Sequence, residues 1–316
     1  MSRSSGVPRR ATVPAPAKIN LDLRVLGKRP DGYHELRTIF QTVSLADTID
    51  LEFTPGRHTR VDLADPLAIP DNLAQRAACL VLESAHVSGA LDIRLSKRIP
   101  MGAGLGGGSS DAAAILLALP VLAGCHLPLE TLLSLARQLG SDVPFFLLGG
   151  RAVGIGRGTE LFPLPDGQPF AGVLVAPGLH VSTPAAYRAL SPSLTSESQQ
   201  NKIVSFQSQA WEVAGSGTPV NDFETVVLKQ HEALAELKHR LAKCGAVQAM
   251  MTGSGSAVFG LFSSAALAAS ALRSFGKENA VRISLVTRAR YRSLWWRALA
   301  EHSSGRIWPP RSRYMP

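Results

Sequence analysis

The chain has 316 residues, of which 45% are hydrophobic, 18% charged and 6% aromatic. This composition allows a large hydrophobic core and excludes a disordered tail or a low-complexity fibre. Lys and Arg total 33 against 24 Asp and Glu, a net charge of +9 that by itself suggests a nucleic-acid-binding protein. The excess lies at the ends, because residues 1–10 contain three Arg and no acid and residues 288–316 contain seven Arg and one Glu. The chain between them is neutral, so we expect no nucleic-acid partner.

The three cysteines, Cys79, Cys125 and Cys244, lie far apart, with no CxxC pair and no His at metal-ligand spacing. This pattern predicts free thiols in a reducing, cytoplasmic compartment and no dedicated metal site. The longest apolar run, residues 112–125, is shorter than the ~18 residues of a membrane-spanning helix and contains Pro120. The N-terminus has Arg residues but no apolar segment behind them, unlike a secretory signal. We therefore expect a cytoplasmic monomer or weak dimer with no membrane partner.

The first half of the chain is predicted to contain strands, then a glycine cluster, then helices. Residues 17–26 alternate apolar and polar side chains, which predicts a half-buried strand with Lys18 and Asn20 on its polar face. A Pro/Gly turn at 28–32 follows this strand. We then predict strands over 38–45, 48–53 and 91–96, and helices over 72–84, from the glycine cluster through 119, and over 129–139.

Three prolines and one glycine in residues 161–169 predict a boundary between two lobes. The alternation of hairpin-like strands with helices favours an α+β fold of two lobes over a doubly wound parallel sheet. The predicted units are an N-terminal lobe over 1–164, a C-terminal lobe over 165–287 and a basic C-terminal extension over 288–316. In the second lobe we predict strands over 172–176, 257–262 and 281–286, helices over 184–190, 221–243 and 265–275, and a polar Ser- and Gln-rich stretch over 191–209.

The most informative segment is PMGAGLGGGSSDAAA at residues 100–114, with five glycines in seven residues between a predicted strand and helix. Backbone N–H groups in such a loop can point inward at a phosphate, and the missing Cβ atoms let a polyphosphate approach. The N-terminus of the following helix adds roughly half a positive charge. Ser109 and Ser110 are predicted to cap this helix or to reach a phosphate or Mg²⁺. The alternative is a flexible turn without a ligand.

Two familiar phosphate loops fit this segment less well. A Walker A loop has Lys after its last glycine, whereas Ser109 follows Gly108 here. The spacing of the glycines from Gly102 onward fits the Rossmann pattern, but the strand that precedes it is predicted only about ninety residues into the chain. In addition, Leu and Pro stand where a Rossmann fold carries an acidic residue at the end of its second strand.

Five motifs in this chain resemble those of the GHMP kinase family. They are PAPAKINLDL at 14–23, RPDGYHEL at 29–36, the glycine-rich segment, LGSDVPFFL at 139–147 and TGSGSAVFGLF at 252–262. The resemblance runs in family order from about Pro14 to about Leu285. Within the family, the motifs most closely resemble those of the members that phosphorylate cytidine diphosphate-linked methylerythritol in non-mevalonate isoprenoid biosynthesis. The resemblance implies a two-lobe GHMP kinase fold, ATP and Mg²⁺ as cofactors, and transfer of the γ-phosphoryl group to the substrate 2-hydroxyl.

The resemblance also implies a catalytic pair, Lys18 and Asp142. Asp142 would accept the proton of the substrate hydroxyl, while Lys18 would keep that carboxylate ionised and stabilise charge on the transferred phosphoryl group. Taken alone, Lys18 could be a solvated lysine on an edge strand and Asp142 a helix cap or turn residue. Their joint occurrence with the glycine-rich segment indicates a kinase.

Further site residues follow from the same resemblance. Tyr33 and His34 are expected to stack on and hydrogen-bond to a cytosine, with Tyr187 on the opposite face of the base and Thr183 near the substrate tail. Asn20 and Gly253 are further expected substrate contacts, and the GSGS turn at 253–256 is expected to pack against the phosphate loop. The expected ATP contacts are Pro100, Gly102, Gly104, Gly106, Gly107, Gly108, Ser109, Ser110, Asn72 and Lys97.

Two other functions stay open at this point. One is a GHMP kinase for a smaller alcohol, which would have no use for an aromatic pocket around Tyr33, His34 and Tyr187. The other is a non-catalytic nucleotide-binding protein, which would have no use for Lys18 and Asp142. In the basic extension, Trp295, Trp296 and Trp308 could contact nucleic acid or an acidic membrane, or the first two could pack a terminal helix onto the catalytic lobe.

Overall fold

A computed structural model describes residues 6–194, 196–211, 219–276 and 278–303, which form two sheets and the helices that cover them. The first sheet contains β1 (Arg9–Lys28), β2 (His34–Pro55), β3 (Arg60–Ala64), β4 (Gly89–Ser96), β5 (Arg151–Gly156) and β6 (Glu160–Pro163). The second contains β7 (Ala171–Val175), β8 (Gln248–Met251), β9 (Val258–Phe262) and β10 (Ala280–Ser284). The helices are α1 (Leu73–Ser84), α2 (Gly107–Ala123), α3 (Leu129–Leu139), α4 (Val143–Leu148), α5 (Thr183–Leu190), α6 (Ser196–Trp211), α7 (Glu224–Gln230), α8 (Glu232–Lys243), α9 (Ala265–Arg273) and α10 (Arg288–Ala298).

The first sheet is organised around β2. This strand pairs antiparallel with β1 along its length, while its other edge pairs with β4 and β5. The pair of β3 and β4 is parallel, and the second sheet is antiparallel in the order β10, β7, β9, β8. This predominantly antiparallel topology confirms the α+β prediction over a doubly wound parallel sheet.

The prediction of two strands over 38–45 and 48–53 was wrong, because β2 runs through both segments without a break. Asp47 lies at the predicted interruption, and its side chain is fully buried. Its Oδ1 atom accepts hydrogen bonds from the backbone N–H groups of Arg98 and Ile99 at 2.5 and 2.8 Å. A polar residue whose carboxylate is satisfied in this way does not have to end a strand.

Three hydrophobic layers hold the fold together. The first lies between the six-stranded sheet and helices α1 to α4, with α2 almost entirely buried. The second lies between the two sheets and contains the apolar face of β1, including Ile19 and Leu21. The third covers the outer face of the second sheet with α5, α7, α8 and α9. Since β1 is covered by layers one and two, its polar residues are buried as well, and the predicted half-buried strand is buried on both faces.

Two helix predictions in the second lobe also need correction. The helix predicted over 221–243 begins three residues later and is interrupted at His231, whose φ of −133° and ψ of 80° are not helical. Asn221 forms a turn instead, because its Oδ1 accepts from the backbone N–H of Phe223 at 3.1 Å. The Ser- and Gln-rich stretch, for which we predicted no helix, contains α6.

The C-terminal helix α10 packs onto the first layer. Tyr291, Trp295 and Leu299 are buried there, and Trp296 packs against the same cluster. This placement agrees with the expectation that the first two Trp residues of the extension attach a terminal helix to the catalytic lobe. Trp308 lies outside the described residues. Within the part of the chain that the structure describes, the helices are too short or too polar to cross a membrane.

Candidate active site

A cleft opens where β1, the loop before α2, the start of α4, α5 and the 252–256 segment meet. Its inner part is a cavity of about 200 Å³ that contains Lys18, Asn20, Asp142 and Gly253. It continues into an outer cavity of about 680 Å³. The outer cavity is lined by Lys28, Gly32, Tyr33, His34, Leu36, Ser109, Ser141, Asp142, Arg157, Thr183, Pro184, Tyr187, Arg188 and Ser191. The fold therefore brings residues from five of the sequence motifs to one cleft.

Lys18 is buried at the floor of the inner cavity, with only 3% of its surface exposed. Its backbone N–H donates to the carbonyl of Leu105 at 3.0 Å, which attaches β1 to the glycine-rich loop. Its ammonium group donates to Asn20 Oδ1 at 2.8 Å and lies 3.6 Å from Asp142 Oδ2. The alternative of a solvated lysine on an edge strand is therefore excluded.

Asn20 connects Lys18 to the second lobe. Its Oδ1 accepts from the backbone N–H of Gly253 at 3.0 Å as well as from Lys18, and its Nδ2 donates to Thr38 Oγ1 at 2.8 Å. The Asn20 backbone N–H donates to Thr252 Oγ1 at 3.1 Å. Because every polar atom of the side chain has a partner, Asn20 holds a fixed orientation beside Lys18.

Asp142 directly precedes α4, yet its side chain makes no capping hydrogen bond to that helix. The carboxylate is about one-third exposed and lines both cavities. Asp142 therefore occupies a turn and the N-cap position of α4, as the alternative expected, but its side chain does not cap the helix and its oxygens are available to a ligand. Burial, followed by the nearby Asp142 charge, raises the pKa of the Tyr187 phenol to about 12, so this hydroxyl is protonated at neutral pH.

The glycine-rich loop, residues 102–108, lies directly against the 252–256 segment. A Cβ atom added at Gly104 would lie 2.2 Å from the carbonyl oxygen of Thr252, and the backbone N–H of Ala257 donates to the Ala103 carbonyl at 3.2 Å. At Gly106 an added Cβ would lie 3.0 Å from the Phe146 ring. Several of these glycines are thus required by close packing, in addition to any approach of a phosphate.

The start of α2 differs from the prediction. The helix begins at Gly107 with Gly106 as its N-cap, and no side chain caps it, so the prediction that Ser109 or Ser110 caps the helix was wrong. Ser110 is buried and donates its hydroxyl to the Pro16 carbonyl at 2.7 Å. Ser109 lines the outer cavity beside Asp142. Pro100 lies two residues before the loop and is partly buried.

Asn72 and Lys97 both make hydrogen bonds within the protein. Asn72 is the N-cap of α1, and its Nδ2 donates to Asp65 Oδ2 at 2.9 Å. Lys97 donates to Asp47 and to Asp111, each at 2.5 Å, and all three side chains are buried. Burial raises the pKa of Asp111 to about 7, although the Lys97 charge acts in the opposite direction.

The aromatic residues of the outer cavity are placed differently from the prediction. His34 and Tyr187 stack directly on each other, with ring centroids 4.2 Å apart and planes at 17°, which leaves no room for a base between them. The Tyr33 ring, half exposed, is covered by the guanidinium of Arg157 at 3.3 Å. Burial and the Lys28 charge lower the pKa of His34, and its buried Nε2 has no hydrogen-bond partner among the described residues.

Three further residues of the cleft were missed from the sequence. Asn221 donates from Nδ2 to the carbonyls of Met251 and Gly253 at 2.8 and 2.9 Å, which fixes the 252–256 segment. Arg157 lines both cavities, and Ser254 Oγ lies 2.7 Å from Thr183 Oγ1. An isolated Asn or Arg carries no motif, so nothing in this one sequence identifies Asn221 or Arg157. Ser254 lies in the GSGS turn at 253–256, but the sequence did not single out its side chain.

No group of three or more His, Cys, Asp and Glu that could hold a metal ion occurs in the described ranges. Among the described residues that line the two cavities, Asp142 supplies the one carboxylate, and the other side-chain oxygens, such as that of Ser109, are hydroxyls or an amide. Such a sparse set fits a divalent ion that arrives on a polyphosphate better than one that the protein binds alone.

Comparisons with known proteins agree on one family. Residues 72–150 match the family model described as the GHMP kinases N terminal domain, and residues 206–280 match GHMP kinases C terminal. A 4-diphosphocytidyl-2-C-methyl-D-erythritol kinase of Solibacter usitatus (strain Ellin6076) is 60% identical over 98% of this chain and 99% of its own. A crystal structure of 4-(cytidine 5′-diphospho)-2C-methyl-D-erythritol kinase is 39% identical, with a TM-score of 0.73 over 88% of this chain and 99% of its own. A homoserine kinase from Cytophaga hutchinsonii, 18% identical, shares the fold with a TM-score of 0.68 over 88% of this chain and 95% of its own.

Proposed function

The chain belongs to the 4-diphosphocytidyl-2-C-methyl-D-erythritol kinases, which have the GHMP kinase fold, and from this membership and the cleft geometry we propose a role for each site residue. The enzyme transfers the γ-phosphoryl group of ATP to the 2-hydroxyl of 4-(cytidine 5′-diphospho)-2-C-methyl-D-erythritol, a step of non-mevalonate isoprenoid biosynthesis. The observation that carries the residue roles is the approach of the buried Lys18 ammonium to the Asp142 carboxylate beside the glycine-rich loop.

Asp142 is the proposed acceptor of the substrate hydroxyl proton. Its carboxylate, which makes no capping bond to α4, lines both cavities. A substrate in the outer cavity would meet a nucleotide on the loop at this point. As the hydroxyl oxygen bonds to the γ-phosphorus, its proton passes to Asp142, and the bond from that phosphorus to the ADP oxygen breaks. Positioning of the hydroxyl by Asp142 contributes to the same step.

Lys18 is the proposed electrostatic partner of that transfer. A buried ammonium group 3.6 Å from Asp142 pairs with that carboxylate and can also stabilise negative charge on the equatorial phosphoryl oxygens. The hydrogen bond to Asn20 restricts the ammonium to one side of the cavity. In this arrangement the charge needs little reorganisation when the transition state forms.

The glycine-rich loop is the proposed site of the ATP phosphates, with Gly102, Gly104, Gly106, Gly107 and Gly108 presenting backbone N–H groups. Asn72, the N-cap of α1, and Lys97, which pairs with Asp111 of α2, are proposed to face the nucleotide side, and Pro100 lies just before the loop segment. Mg²⁺ bound to ATP would neutralise the phosphate charge, and Ser109, Ser110 and Asp142 are the residues proposed to face it.

The outer cavity is the proposed site of the cytidine diphosphate group. His34 is neutral at pH 7 because its pKa is lowered, and its unpartnered Nε2, which is buried in this structure, can bond to the edge of a cytosine once the His34 ring moves. The Tyr33 and Tyr187 rings can each stack on the base once Arg157 and His34, respectively, move aside. Lys28, Arg157 and Arg188 supply positive charge for the diphosphate. Thr183, Asn20 and Gly253 would contact the methylerythritol end.

The remaining features of the enzyme are proposed on more general grounds. Three cysteines without disulfides suit the cytoplasm. We propose a monomer or weak dimer that acts on its small-molecule substrates without nucleic acid. The lobe limits of 1–164 and 165–287, with the extension at 288–316, stay a prediction.

A coupled assay of ADP release with a panel of acceptors tests this function. The panel contains the cytidine diphosphate substrate, its uridine analogue, homoserine and mevalonate, each at saturating ATP with and without Mg²⁺. We expect turnover with the cytidine compound alone and none after removal of Mg²⁺. Equal turnover of a small alcohol would instead support the alternative of another GHMP kinase, and ATP binding without turnover of any acceptor would support a non-catalytic nucleotide-binding protein.

A further inference from the structure

The helix α4 that follows Asp142 has only six residues, so its position depends on what packs against it. Asp142 makes no capping bond with its side chain, but its backbone carbonyl accepts a hydrogen bond from the N–H of Phe145 in α4 at 3.2 Å. Both Phe145 and Phe146 are buried, and Phe146 packs against Gly106 of the glycine-rich loop. A shift of α4 would therefore move Asp142 and the loop together.

The far end of α4 is held by α10. Tyr291 is fully buried, and its hydroxyl donates a hydrogen bond to the backbone carbonyl of Phe146. Burial raises the pKa of this phenol, so the hydroxyl remains a donor throughout the neutral range. This hydrogen bond joins the C-terminal extension directly to α4, the helix that follows Asp142.

The Tyr291 ring also fits against the residue that ends α4. Gly149 has a φ of +65°, and a Cβ atom added there would lie 2.2 Å from Cδ1 of Tyr291. The next residue, Gly150, is also close to α10, because a Cβ atom added there would lie 2.7 Å from the Cβ of Arg288. A pair of glycines thus allows α10 to lie directly on the end of α4.

Arg288 anchors the start of α10 on the same side. Its guanidinium donates to the carbonyls of Arg151 and Leu164, and its backbone N–H donates to Asp166 Oδ1 at 2.9 Å. These bonds fix α10 to β5 and to the segment after β6, which flank the end of α4. Helix α10 has therefore a defined position from which Tyr291 can hold α4.

We propose that Tyr291 is a positioning residue for phosphoryl transfer, because it holds α4 and through it sets the distance between Asp142 and Lys18. The inference rests on the proposed role of Asp142. It extends the functional unit to α10, which lies beyond residues 72–150 and 206–280 matched by the two family models. The basic extension at 288–303 is then a part of the catalytic lobe and not an appendage.

The test compares Tyr291→Phe, which removes only the hydroxyl, with Leu299→Val, which weakens the packing of α10 at its other end. Leu299 is buried in the same core but lies two helical turns from Tyr291. Both variants are assayed for kcat, for KM of ATP and acceptor, and for Tm, at a temperature where circular dichroism shows them folded. Arg288→Lys is a second variant in case Tyr291→Phe is insoluble.

We expect Tyr291→Phe to lower kcat by about three- to tenfold with both KM values within about twofold of wild type, since misplacement of a catalytic group affects the chemical step. Leu299→Val should lower Tm without a change in kcat. The proposal is overturned if Tyr291→Phe retains wild-type kcat, or if Leu299→Val loses kcat to the same extent. Asp142→Asn is measured in parallel, and if this variant kept its turnover, the proposed role of Asp142 would fail independently of Tyr291.

Discussion

Gly104 and Thr252 are in direct backbone contact, since a Cβ atom at residue 104 would lie 2.2 Å from the Thr252 carbonyl oxygen. The contact joins the glycine-rich loop of the first lobe to the 252–256 segment of the second. It explains why close packing requires glycine at position 104, in addition to any approach of a phosphate.

Gly104→Ala should therefore destabilise the protein by more than backbone strain alone. Gly178 is a matched control, because its φ of +75° is almost the same as the +77° of Gly104 but nothing lies within 4 Å of an added Cβ. We expect Gly178→Ala to cost about 1 kcal/mol and Gly104→Ala about 3 kcal/mol or more. Chemical denaturation measures both values, and equal losses in the two variants would contradict the close contact.

The pair of Lys18 and Asp142 leads to a second prediction. Asp142→Asn and Lys18→Ala should each lower kcat by about a hundredfold or more, as expected for a proton acceptor and a charge stabiliser. The measurement is steady-state kinetics at saturating ATP and acceptor. Asp50→Asn, which changes a carboxylate on β2 outside the cleft, is the control and should keep wild-type turnover. Near-normal turnover of either cleft variant would refute the mechanism.

The outer cavity leads to a third prediction. Tyr33→Ala or Tyr187→Ala should raise KM for the cytidine substrate by about ten- to a hundredfold, because a base stacked on an aromatic ring contributes about 1 to 3 kcal/mol. His34→Ala should act similarly. The KM for ATP should hardly change, and it serves as the internal control.

Base identity tests the same cavity with the wild-type enzyme. A uridine analogue exchanges donor and acceptor at two ring positions and leaves a partner in the cavity unpaired, so we expect it to lose at least as much in kcat/KM as the Tyr variants. Equal kcat/KM values for the cytidine and uridine compounds would show that the cavity does not distinguish cytosine from uracil.

Asp111 predicts a pH dependence of stability. Its pKa is about 7 in the folded protein because of burial, partly opposed by Lys97, whereas an Asp in an unfolded chain has a pKa near 3.9. Between these values the folded protein keeps a proton that the unfolded chain has released, so the free energy of unfolding falls as pH rises towards and through 7. We expect the drop in Tm from pH 6 to pH 8 to be smaller in Asp111→Asn than in wild type.

The exposed Asp92 gives the comparison for this experiment. Asp92→Asn should leave the pH dependence of Tm as it is in the wild type, since this side chain lies at the surface and is not buried as Asp111 is. If the Tm of Asp111→Asn and the Tm of the wild type fall by the same amount between pH 6 and pH 8, Asp111 does not hold a proton in that range.

The local features of this protein could be predicted from its sequence. The pattern of apolar residues predicted α3 at 129–139, and the alternation of apolar and polar residues predicted the strand that contains Lys18. Both patterns are local, because the hydrogen bonds of a helix and the alternation of side chains along a strand involve residues close together in the chain. Five glycines between a strand and a helix likewise indicated a phosphate loop. The resemblance to a family supplied the pairing of Lys18 with Asp142, which no periodicity contains.

Only the tertiary structure decided features that depend on packing between distant segments. It showed that β2 continues through Asp47, because backbone donors from residues 98 and 99 satisfy that carboxylate. It also placed His34 on Tyr187, and it brought Tyr291 from the C-terminal extension onto the carbonyl of Phe146. Each of these contacts joins residues far apart in the chain, and its formation depends on the shape and burial of both partners rather than on the local sequence of either one.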